Sequence, residues 1–468
     1  MTSGRSIWKR LPGLFKEAVR GNDIDFTNIS IKRAIFLLSV PMILEMCMES
    51  IFALVDIIYV SRVSTNAVAT IGLTESVITL VYALAIGLSM AATAVVARRV
   101  GEKDFEGANI TTVQVIILGV MISVVIGVLG FLYPREILEL MGGEPELIEE
   151  GFGYTQILIG FNITIVMLFL INAVFRGAGD ASLAMYTLIL SNGLNIVLDP
   201  IFIFGFGPIP EMGVKGAAVA TTIGRGTAVL FQCYLLFRGS KRIHLTLARI
   251  RLNTVIMFKL VKVSLGGIGQ FLIGTSSWVF LMRIMSEFGS EALAGYTIAI
   301  RVLVFTLMPA WGMSNAAATL VGQNLGAGKP DRAERSVWVT GKYTAFFMCG
   351  VSVFYLVFSD ELMRFFSDGQ EVIRYGSLSL KIIAAGYIFY AYGMVLTNAF
   401  NGAGDTRTPT VINLIAFWFF QLPFAYLVAI VLSKGPVGVF IAITLAESLI
   451  ALLALVWFRK GAWKSVQV

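Results

Sequence analysis

The chain has 468 residues, of which 57% are hydrophobic and 14% charged, with a mean hydropathy of +0.82 and a formal net charge of +7. Soluble proteins carry about 25% charged residues, so this composition excludes an ordinary soluble domain. Its many apolar stretches reach the roughly 20 residues that a helix needs to cross a bilayer. The stretches are continuously apolar, which excludes a β-barrel and predicts an all-α membrane protein.

The first 33 residues are polar and basic, with no cleavable signal before the first apolar stretch. We interpret residues 1–33 as a cytoplasmic arm that contains a short surface helix and keeps the N-terminus inside. Twelve apolar stretches follow and predict twelve transmembrane helices. Their ranges are 34–61, 68–97, 111–133, 150–175, 181–206, 214–237, 256–286, 293–323, 337–358, 376–400, 408–432 and 436–458.

The charges of the connecting loops alternate between the two sides of the membrane. Arg98, Arg176 and Arg242 are among the basic residues that follow even-numbered helices, whereas the loop after helix 3 is rich in glutamate between Glu136 and Glu150. This distribution follows the positive-inside rule. It predicts a multi-pass protein of the cell (cytoplasmic) membrane with both termini in the cytoplasm, and it explains the basic charge without a nucleic-acid partner.

A near-repeat relates the two halves of the chain. "FRGAGD" at 175–180 recurs as "FNGAGD" at 400–405, 225 residues later, and Glu146 matches Glu371 at the same offset. Several matches at one offset indicate a duplicated unit. Because each copy would contain six helices, both copies have the same orientation. The sequence therefore predicts two parallel six-helix bundles related by a pseudo-twofold axis normal to the membrane.

The duplication defines the predicted domains. After the arm come an N-lobe at 34–237, a cytoplasmic linker at 238–255, and a C-lobe at 256–468 with a short C-terminal tail. In the repeated turn, Gly177 and Gly179 are expected to adopt positive φ and end a helix, and Asp180 to cap the next one. The second copy of the turn is expected to do the same.

Carboxylates inside membrane helices are costly and are therefore candidate functional groups. They occur in the first, second, fifth and twelfth predicted helices, as Glu45, Glu49, Asp56, Glu75, Asp199 and Glu447. Asp56 and Asp199 form the best pair, because Asn195 stands one turn before Asp199 on the same helix face. The other polar residues expected around this pair are Tyr154, Asn172 and Thr221.

The second half provides an internal comparison for this cluster. At the offset of 225, Asp56 corresponds to Leu281 and Asn195 to Trp418. The scaffold is thus duplicated but the polar cluster is present once. This difference indicates that the cluster serves function and not packing. Two carboxylates close together in a low dielectric cannot both stay ionised cheaply. A proton would relieve the repulsion, as would Na⁺ held by Asp56, Asp199 and Asn195.

Several motifs in series resemble the MATE (multidrug and toxic compound extrusion) transporters. These are the paired turns, "VGQNLGAGKPDRAE" at 321–334, its counterpart "ARRVGEKDFEGAN" at 97–109, and "NIVLDPIFIFGFG" at 195–207. The resemblance covers essentially the whole chain after residue 33 and is specific as a set. It implies a secondary antiporter that exports organic cations, drugs and other toxic or amphipathic solutes in exchange for H⁺ or Na⁺, as a monomer among membrane lipids.

The resemblance is strongest to the archaeal and DinF-type branch. There it implies that an N-lobe coupling site is formed by Asp56, Tyr154, Asn172, Asn195, Asp199 and Thr221. A NorM-like branch resembles the same layout but has acidic cation ligands on helices 7 and 10. At those helices this chain has Gln270 and no carboxylate, so we expect no cation site in the C-lobe.

Pro41 lies fifteen residues before Asp56 in the first helix. It removes a backbone hydrogen bond and provides a bending point. We expect cation occupancy at Asp56 and Asp199 to change this bend and to expel substrate from the N-lobe, and the resemblance implies the same role. The alternative is that Pro41 only accommodates packing.

Three other functions are weighed against transport. A flippase for lipid-linked saccharides would need clustered basic residues in a central cavity, and the candidates Arg283, Arg301 and Lys381 do not cluster in sequence. A membrane-embedded enzyme would need metal ligands or a nucleophile with its base, but the one histidine, His244, lies in a loop and the three cysteines are dispersed. A channel would need a filter-like segment, and we recognise none. The sequence thus predicts neither an enzyme nor a cofactor beyond the coupling ion.

Overall fold

Helices form nearly all of the computed structural model, which describes residues 4–21, 23–60, 62–239, 242–246 and 251–468. The first half contains α1 (Gly4–Arg20), α2 (Ile31–Val60), α3 (Thr65–Gly101), α4 (Phe105–Leu132), α5 (Pro134–Leu140), α6 (Pro145–Gly160), α7 (Ile163–Ala178), α8 (Ala181–Phe204) and α9 (Gly213–Arg238). The second half contains α10 (Thr254–Ser286), α11 (Ser290–Gly326), α12 (Pro330–Phe366), α13 (Gln370–Ala385), α14 (Tyr387–Ala403), α15 (Arg407–Asn413), α16 (Leu422–Tyr426) and α17 (Pro436–Arg459). π-Helical turns at Leu414–Gln421 join α15 to α16 in one continuous segment.

Most of these helices are suited to a membrane. In the described part of the chain, ten helical segments are long and apolar enough to span one, and α13 with α14 forms an eleventh. The remaining predicted position is occupied by α9, which is more polar and carries Lys215 and Arg225. All twelve predicted positions are therefore helical, and the prediction of an all-α membrane protein is confirmed.

The duplicated sequence produces a duplicated structure. α3 and α11 span 65–101 and 290–326, and α6 and α13 span 145–160 and 370–385. Both pairs keep the offset of 225 residues that relates the sequence motifs. The predicted arrangement of two six-helix bundles in the same orientation is confirmed.

The fourth predicted helix of each half is broken in the middle, although the sequence predicted one continuous helix in each case. α6 and α7 are separated at residues 161–162, and α13 and α14 meet at Gly386 with a bend of 59°. In the first half, Asn162 Nδ2 donates to the carbonyl oxygens of Ile159 at 2.7 Å and Ser123 at 3.0 Å. The Ile159 carbonyl at the break is thus satisfied by a side chain that also contacts α4.

The two glycines of each repeated turn have different functions in the fold. Gly179 and Gly404 adopt φ of 87° and 88° and end α7 and α14. The expected positive φ at Gly177 and its equivalent Gly402 is wrong, because both residues remain helical. A Cβ at Gly177 would lie 2.9 Å from the carbonyl oxygen of Thr93, so this glycine permits close packing of α7 on α3.

The aspartates of the two turns have diverged. Asp405 caps α15, since it accepts hydrogen bonds from Thr408 N at 3.1 Å and Thr408 Oγ1 at 2.6 Å. Asp180 instead faces Arg242 of the predicted linker at 3.9 Å, and Arg242 donates to the carbonyl oxygen of Ala178 at 2.6 Å. Parts of that linker, 240–241 and 247–250 with Lys241 and Arg249, lie outside the described residues.

The halves are in close contact at the end of the molecule where α3 and α11 finish. We call it the basic end, because arginine and lysine residues follow the helices there. A Cβ at Gly101 would overlap the carbonyl oxygen of Gln323, and a Cβ at Gly326 would overlap that of Arg98. The ends of α3 and α11 therefore cross in backbone contact.

The N-terminal arm also links the halves. Its predicted helix is present as α1, which packs on α2. Lys329 Nζ donates to the carbonyl oxygen of Thr27 at 3.1 Å, and Arg332 donates to that of Phe26 at 3.0 Å. The arm thereby ties the second half to the start of α2 at the basic end.

Candidate functional site

One face of α2 carries the polar residues that the sequence placed in the first membrane helix. Glu45, Glu49 and Asp56 are spaced by four and seven residues, so helical periodicity places them in a single stripe. Phe52 lies in the same stripe between Glu49 and Asp56. The stripe faces α8, where Asn192 Nδ2 donates to Glu49 Oε2 at 3.1 Å.

Asp199 lies near the end of α8 and is fully buried. The amide of Asn195, one turn earlier, joins it to α9. The amide nitrogen donates to Asp199 Oδ2 at 2.8 Å, and the amide oxygen accepts from Thr221 Oγ1 at 3.0 Å in the orientation that satisfies both ends of the amide. The structure thus brings together Asp199, Asn195 and Thr221, as the sequence predicted.

Asp56 joins this group from α2. It lies close enough to Asp199 for the two charges to interact. The Oδ1 atom of each carboxylate is buried and has no hydrogen-bond partner among the described residues. Tyr154 of α6 is 5% exposed and lies within the electrostatic range of Asp56. We call Asp56, Asp199, Asn195, Thr221 and Tyr154 the carboxylate cluster.

Asn172, which the sequence grouped with this cluster, belongs to a different set of contacts. Its Nδ2 donates to Glu45 Oε1 at 3.3 Å, and its Oδ1 accepts from Thr187 Oγ1 at 2.7 Å and from Gln232 Nε2 at 2.7 Å. Thr187 precedes Asn195 by eight residues on α8, which is about 12 Å along a helix axis. Asn172 therefore lies nearer the basic end than the carboxylate cluster.

Glu45 and Arg176 form a buried ion pair in this second set. Their side chains are 1% and 13% exposed, and Arg176 donates to Glu45 Oε1 at 2.6 Å. The sequence counted Arg176 among the basic residues of the loops, and this is corrected here, because Arg176 lies in the last turn of α7 and points back into the protein. Glu45 likewise lies in the interior.

A cavity of about 330 Å³ lies between the two halves. Helices α2, α3, α7, α8 and α9 form one wall, and α10, α11 and α14 form the other. The charged groups on its surface all come from the first half: Glu45, Glu49, Arg176 and Arg225. The second half contributes apolar and amide groups that include Phe271, Met308, Trp311, Asn315 and Asn398.

Arg225 lies between the cavity and the carboxylate cluster and was not singled out from the sequence. It is 8% exposed, donates to the phenol oxygen of Tyr82 at 3.2 Å and stacks over the ring of Phe52 at 5.9 Å. Because Phe52 separates Glu49 from Asp56 on α2, the guanidinium sits between these carboxylates. Its charge acts on both. The sequence feature that could have identified Arg225 is its position as a charged residue in the middle of a predicted membrane helix.

The second half has a different set of polar residues in its interior from the first half. Gln270 and Asn401 form a reciprocal amide pair, with N···O distances of 3.0 and 3.2 Å. Glu447 of α17 is a partly buried carboxyl of the second half and lies near Tyr390 of α14. Over the described ranges, no group of three or more His, Cys, Asp or Glu side chains is arranged to hold a metal ion.

Pro41 lies within α2, which is continuous from Ile31 to Val60. The next residue, Met42, packs closely on α11: a Cβ at Gly312 would lie 2.7 Å from the carbonyl oxygen of Met42. The proline therefore sits at a contact between the halves. Bending at this point remains a prediction.

Comparison with known proteins gives consistent similarities along the chain. A family model described as MatE matches residues 41–201 and 268–427, one stretch in each half. The probable multidrug resistance protein NorM of Thermotoga maritima is 27% identical over 438 residues, which are 93% of this chain and 93% of that protein.

Solved structures show the same fold. A structure described as the outward-facing conformation of a multidrug resistance MATE family transporter of the MOP superfamily matches with a TM-score of 0.89 and 27% identity, covering 95% of this chain and 99% of that one. A structure described as MATE in the straight conformation has the same TM-score and identity and covers 95% and 100% of the two chains.

Proposed function

The chain belongs to the MatE family, and from this premise we propose that it is an antiporter that exports organic cations and other amphipathic toxic solutes in exchange for H⁺ or Na⁺. The protein is a transporter and not an enzyme, and its relatives include proteins named for multidrug resistance and multidrug export. It is a multi-pass membrane protein. We further propose that it acts as a monomer within the lipid bilayer, with both termini and the basic end in the cytoplasm.

The observation that carries the coupling proposal is the pairing of Asp56 with Asp199. Each has a buried carboxylate oxygen without a hydrogen-bond partner in the described structure, and the two charges interact. Two such groups in a low dielectric favour uptake of one positive charge. Asn195 donates a hydrogen bond to Asp199, and Thr221 fixes the orientation of the Asn195 amide.

Coupling follows from the position of these groups on α2 and α8. Cation uptake between Asp56 and Asp199 draws the two helices together, and cation release separates them. Because Glu45 and Glu49 lie on the same face of α2, movement of this helix also alters the cavity. We propose that Pro41 supplies the bending point and that cation uptake expels the substrate.

The amide of Asn195 bears on the identity of the ion. With its nitrogen directed at Asp199, the amide oxygen faces Thr221 and is turned away from the carboxylate pair. Na⁺ prefers several oxygen ligands, and this orientation offers it the two carboxylates without the amide. A proton needs no such set, so H⁺ fits this orientation of the amide, and Na⁺ fits the opposite orientation, in which the amide oxygen faces Asp199.

The test uses purified protein reconstituted in vesicles with ethidium as substrate. An inward H⁺ gradient and an inward Na⁺ gradient are imposed separately and collapsed separately. We expect efflux driven by one gradient, and loss of that efflux in Asp56→Asn and Asp199→Asn. The matched control is Glu447→Gln, which removes a partly buried membrane carboxyl from the second half and should retain driven efflux.

Three outcomes would contradict the coupling proposal. Driven efflux that persists in both aspartate variants would remove the pair from the mechanism. Equal loss in Glu447→Gln would show that coupling is not confined to the first half. Efflux that proceeds equally without any gradient would indicate a channel.

A saccharide-lipid flippase remains the alternative, and the arginines that line the cavity, Arg176 and Arg225, are not the ones that the sequence offered for it. Its candidate basic residues lie away from the cavity lining: Arg283 pairs with Glu287 at an exposed position, and Lys381 pairs with Asp360. Arg301 is exposed. Flipping of a lipid-linked saccharide without any ethidium transport would favour this alternative.

A further inference from the structure

Two charged residues continue the walls of the central cavity toward the end opposite the basic end, which we call the outer end. Of the lining residues on α3 and α11, Tyr82 and Met308 lie farthest from the basic end. Glu75 precedes Tyr82 by seven residues, and Arg301 precedes Met308 by seven residues. Helical periodicity therefore places Glu75 and Arg301 on the cavity-facing sides of their helices, about 10 Å farther out.

Glu75 and Arg301 lie at the same depth in opposite halves. At the offset of 225 residues, Glu75 corresponds to Ile300, the neighbour of Arg301. Both charged side chains are exposed, and neither forms a hydrogen bond or a salt bridge with another described residue. Their charges nevertheless interact across the opening. The outer end thus has an acid on one wall and a base on the other, without contact between them.

α3 and α11 are arranged differently at their two ends. At the basic end they cross in backbone contact beside Gly101 and Gly326. Near the outer end there is free space beside Glu75, because an added Cβ at Gly72, about one turn farther out, would meet no atom within 4 Å. The unpaired charges therefore lie where the cavity is open.

Two further charges that act on Glu75 belong to the first half. Arg225 attracts it and Asp56 repels it. Arg225 already donates to Tyr82 at 3.2 Å in the interior, whereas Arg301 faces Glu75 from the other half. If α3 and α11 approach each other at the outer end, water leaves the opening. The attraction between Glu75 and Arg301 then strengthens, because the local dielectric constant falls.

From this arrangement we propose that Glu75 and Arg301 form an outer gate. They meet in a salt bridge when α3 and α11 close the outer end, and they separate when the cavity opens there. The inference rests on the proposed function, since a gate serves a transporter whose cavity opens on one side at a time. It adds to that function two residues outside the carboxylate cluster, one from each half.

The first test asks whether the two positions meet. Glu75→Cys and Arg301→Cys are combined in full-length protein whose natural cysteines are replaced. A disulfide needs Cα atoms within about 7 Å of each other, so oxidation should trap the closed outer end. We expect loss of free thiols in the purified protein and loss of driven ethidium efflux in vesicles, both reversed by a reductant. Either cysteine alone is the control, and its efflux should not respond to oxidation.

The second test is a double-mutant cycle on the rate of driven ethidium efflux. We expect Glu75→Gln and Arg301→Gln each to lower the rate about threefold, the value of one exposed ion pair. The double variant should be no slower than either single variant, because the same interaction is lost in all three. Arg301→Lys keeps the charge and should transport like the wild type. The matched control is Arg374→Gln, which breaks an exposed pair with Glu371 and should leave efflux unchanged.

The inference is overturned if no disulfide forms between the two cysteines, or if the two glutamine substitutions slow efflux by independent factors that multiply in the double variant. A slower Glu75→Gln with a faster Arg301→Gln would also overturn it, because Glu75 would then only attract cations. The disulfide is read from free thiols without transport. Absence of driven ethidium efflux in the wild type would therefore refute the antiporter, and a missing disulfide in an active transporter would refute the gate alone.

Discussion

Gln323 of α11 and Arg98 of α3 occupy equivalent positions in the two halves, and each donates to the repeated turn of the opposite half. Gln323 Nε2 donates to the carbonyl oxygen of Gly177 at 3.0 Å, and Arg98 donates to that of Ala403 at 3.4 Å. The "GAGD" turns therefore receive pseudo-symmetric contacts across the interface. Together with the crossing of α3 and α11, these contacts hold the basic end closed.

We predict that Gln323→Ala opens the basic end more often. In the closed state the variant leaves the Gly177 carbonyl without its partner, at a cost of about 1–3 kcal/mol. The measurement is maleimide labelling of Ala97→Cys, a fully buried position beside Gly322, in protein whose natural cysteines are replaced. These are Cys47, Cys233 and Cys349. Labelling should accelerate about fivefold or more.

The matched control for this prediction is Asn324→Ala. Asn324 is also buried near the end of α11, but its Nδ2 donates within the same helix, to the carbonyl oxygen of Leu320 at 2.7 Å. Its removal disturbs α11 without breaking a contact between the halves. Equal labelling of Ala97→Cys in both variants would show that the Gln323 contact does not hold this end.

Gly101→Val should block closure more completely. Gly101 is helical, so a side chain causes no backbone strain there, and the obstacle is the backbone of Gln323 on the crossing helix. We predict loss of driven ethidium efflux and fast labelling of Ala97→Cys. The control is Gly350→Val in α12, where an added Cβ meets no atom within 4 Å. Normal efflux in Gly101→Val would mean that α3 and α11 need not cross so closely.

The helices and the duplication could be predicted because both can be recognised from the order of residues along the chain alone. Apolar length identifies a membrane helix, and the offset of 225 recurs in the helix bounds themselves. The breaks at residues 161–162 and at Gly386 could not be predicted in this way. They depend on contacts between helices, such as the bond from Asn162 to the Ser123 carbonyl.

The candidate site was predicted in part for a similar reason. Asn195 and Asp199 share a face of one helix, and their spacing predicts their contact. Asn172 lies on another helix, and its residue type alone did not show how deep in the membrane it lies. The structure places it in contact with Glu45. A search for carboxylates does not find Arg225, although a positive charge in a membrane helix is as costly as a negative one.

The ion pair of Glu45 with Arg176 should be important for stability. Glu45→Gln leaves the Arg176 guanidinium buried without its counter-charge, which costs about 3–5 kcal/mol in typical buried pairs. We predict a marked fall in the unfolding temperature in detergent, largely restored when Arg176→Met and Glu45→Met are combined. In contrast, Glu287→Gln breaks the exposed pair with Arg283 and should change stability by less than about 1 kcal/mol. An unfolding temperature that responds equally to both single variants would contradict this assignment.

Thr221 should tune coupling through the orientation of the Asn195 amide. Thr221→Val keeps the shape but removes the Oγ1 that donates to the amide oxygen at 3.0 Å, whereas Thr221→Ser keeps the hydroxyl. We predict that the valine variant needs about a fivefold larger ion gradient for half-maximal ethidium efflux, the value of one hydrogen bond of about 1 kcal/mol. Ethidium binding to the purified variant should stay unchanged. The serine variant should behave like the wild type, and a shared defect in both variants would assign Thr221 to packing alone.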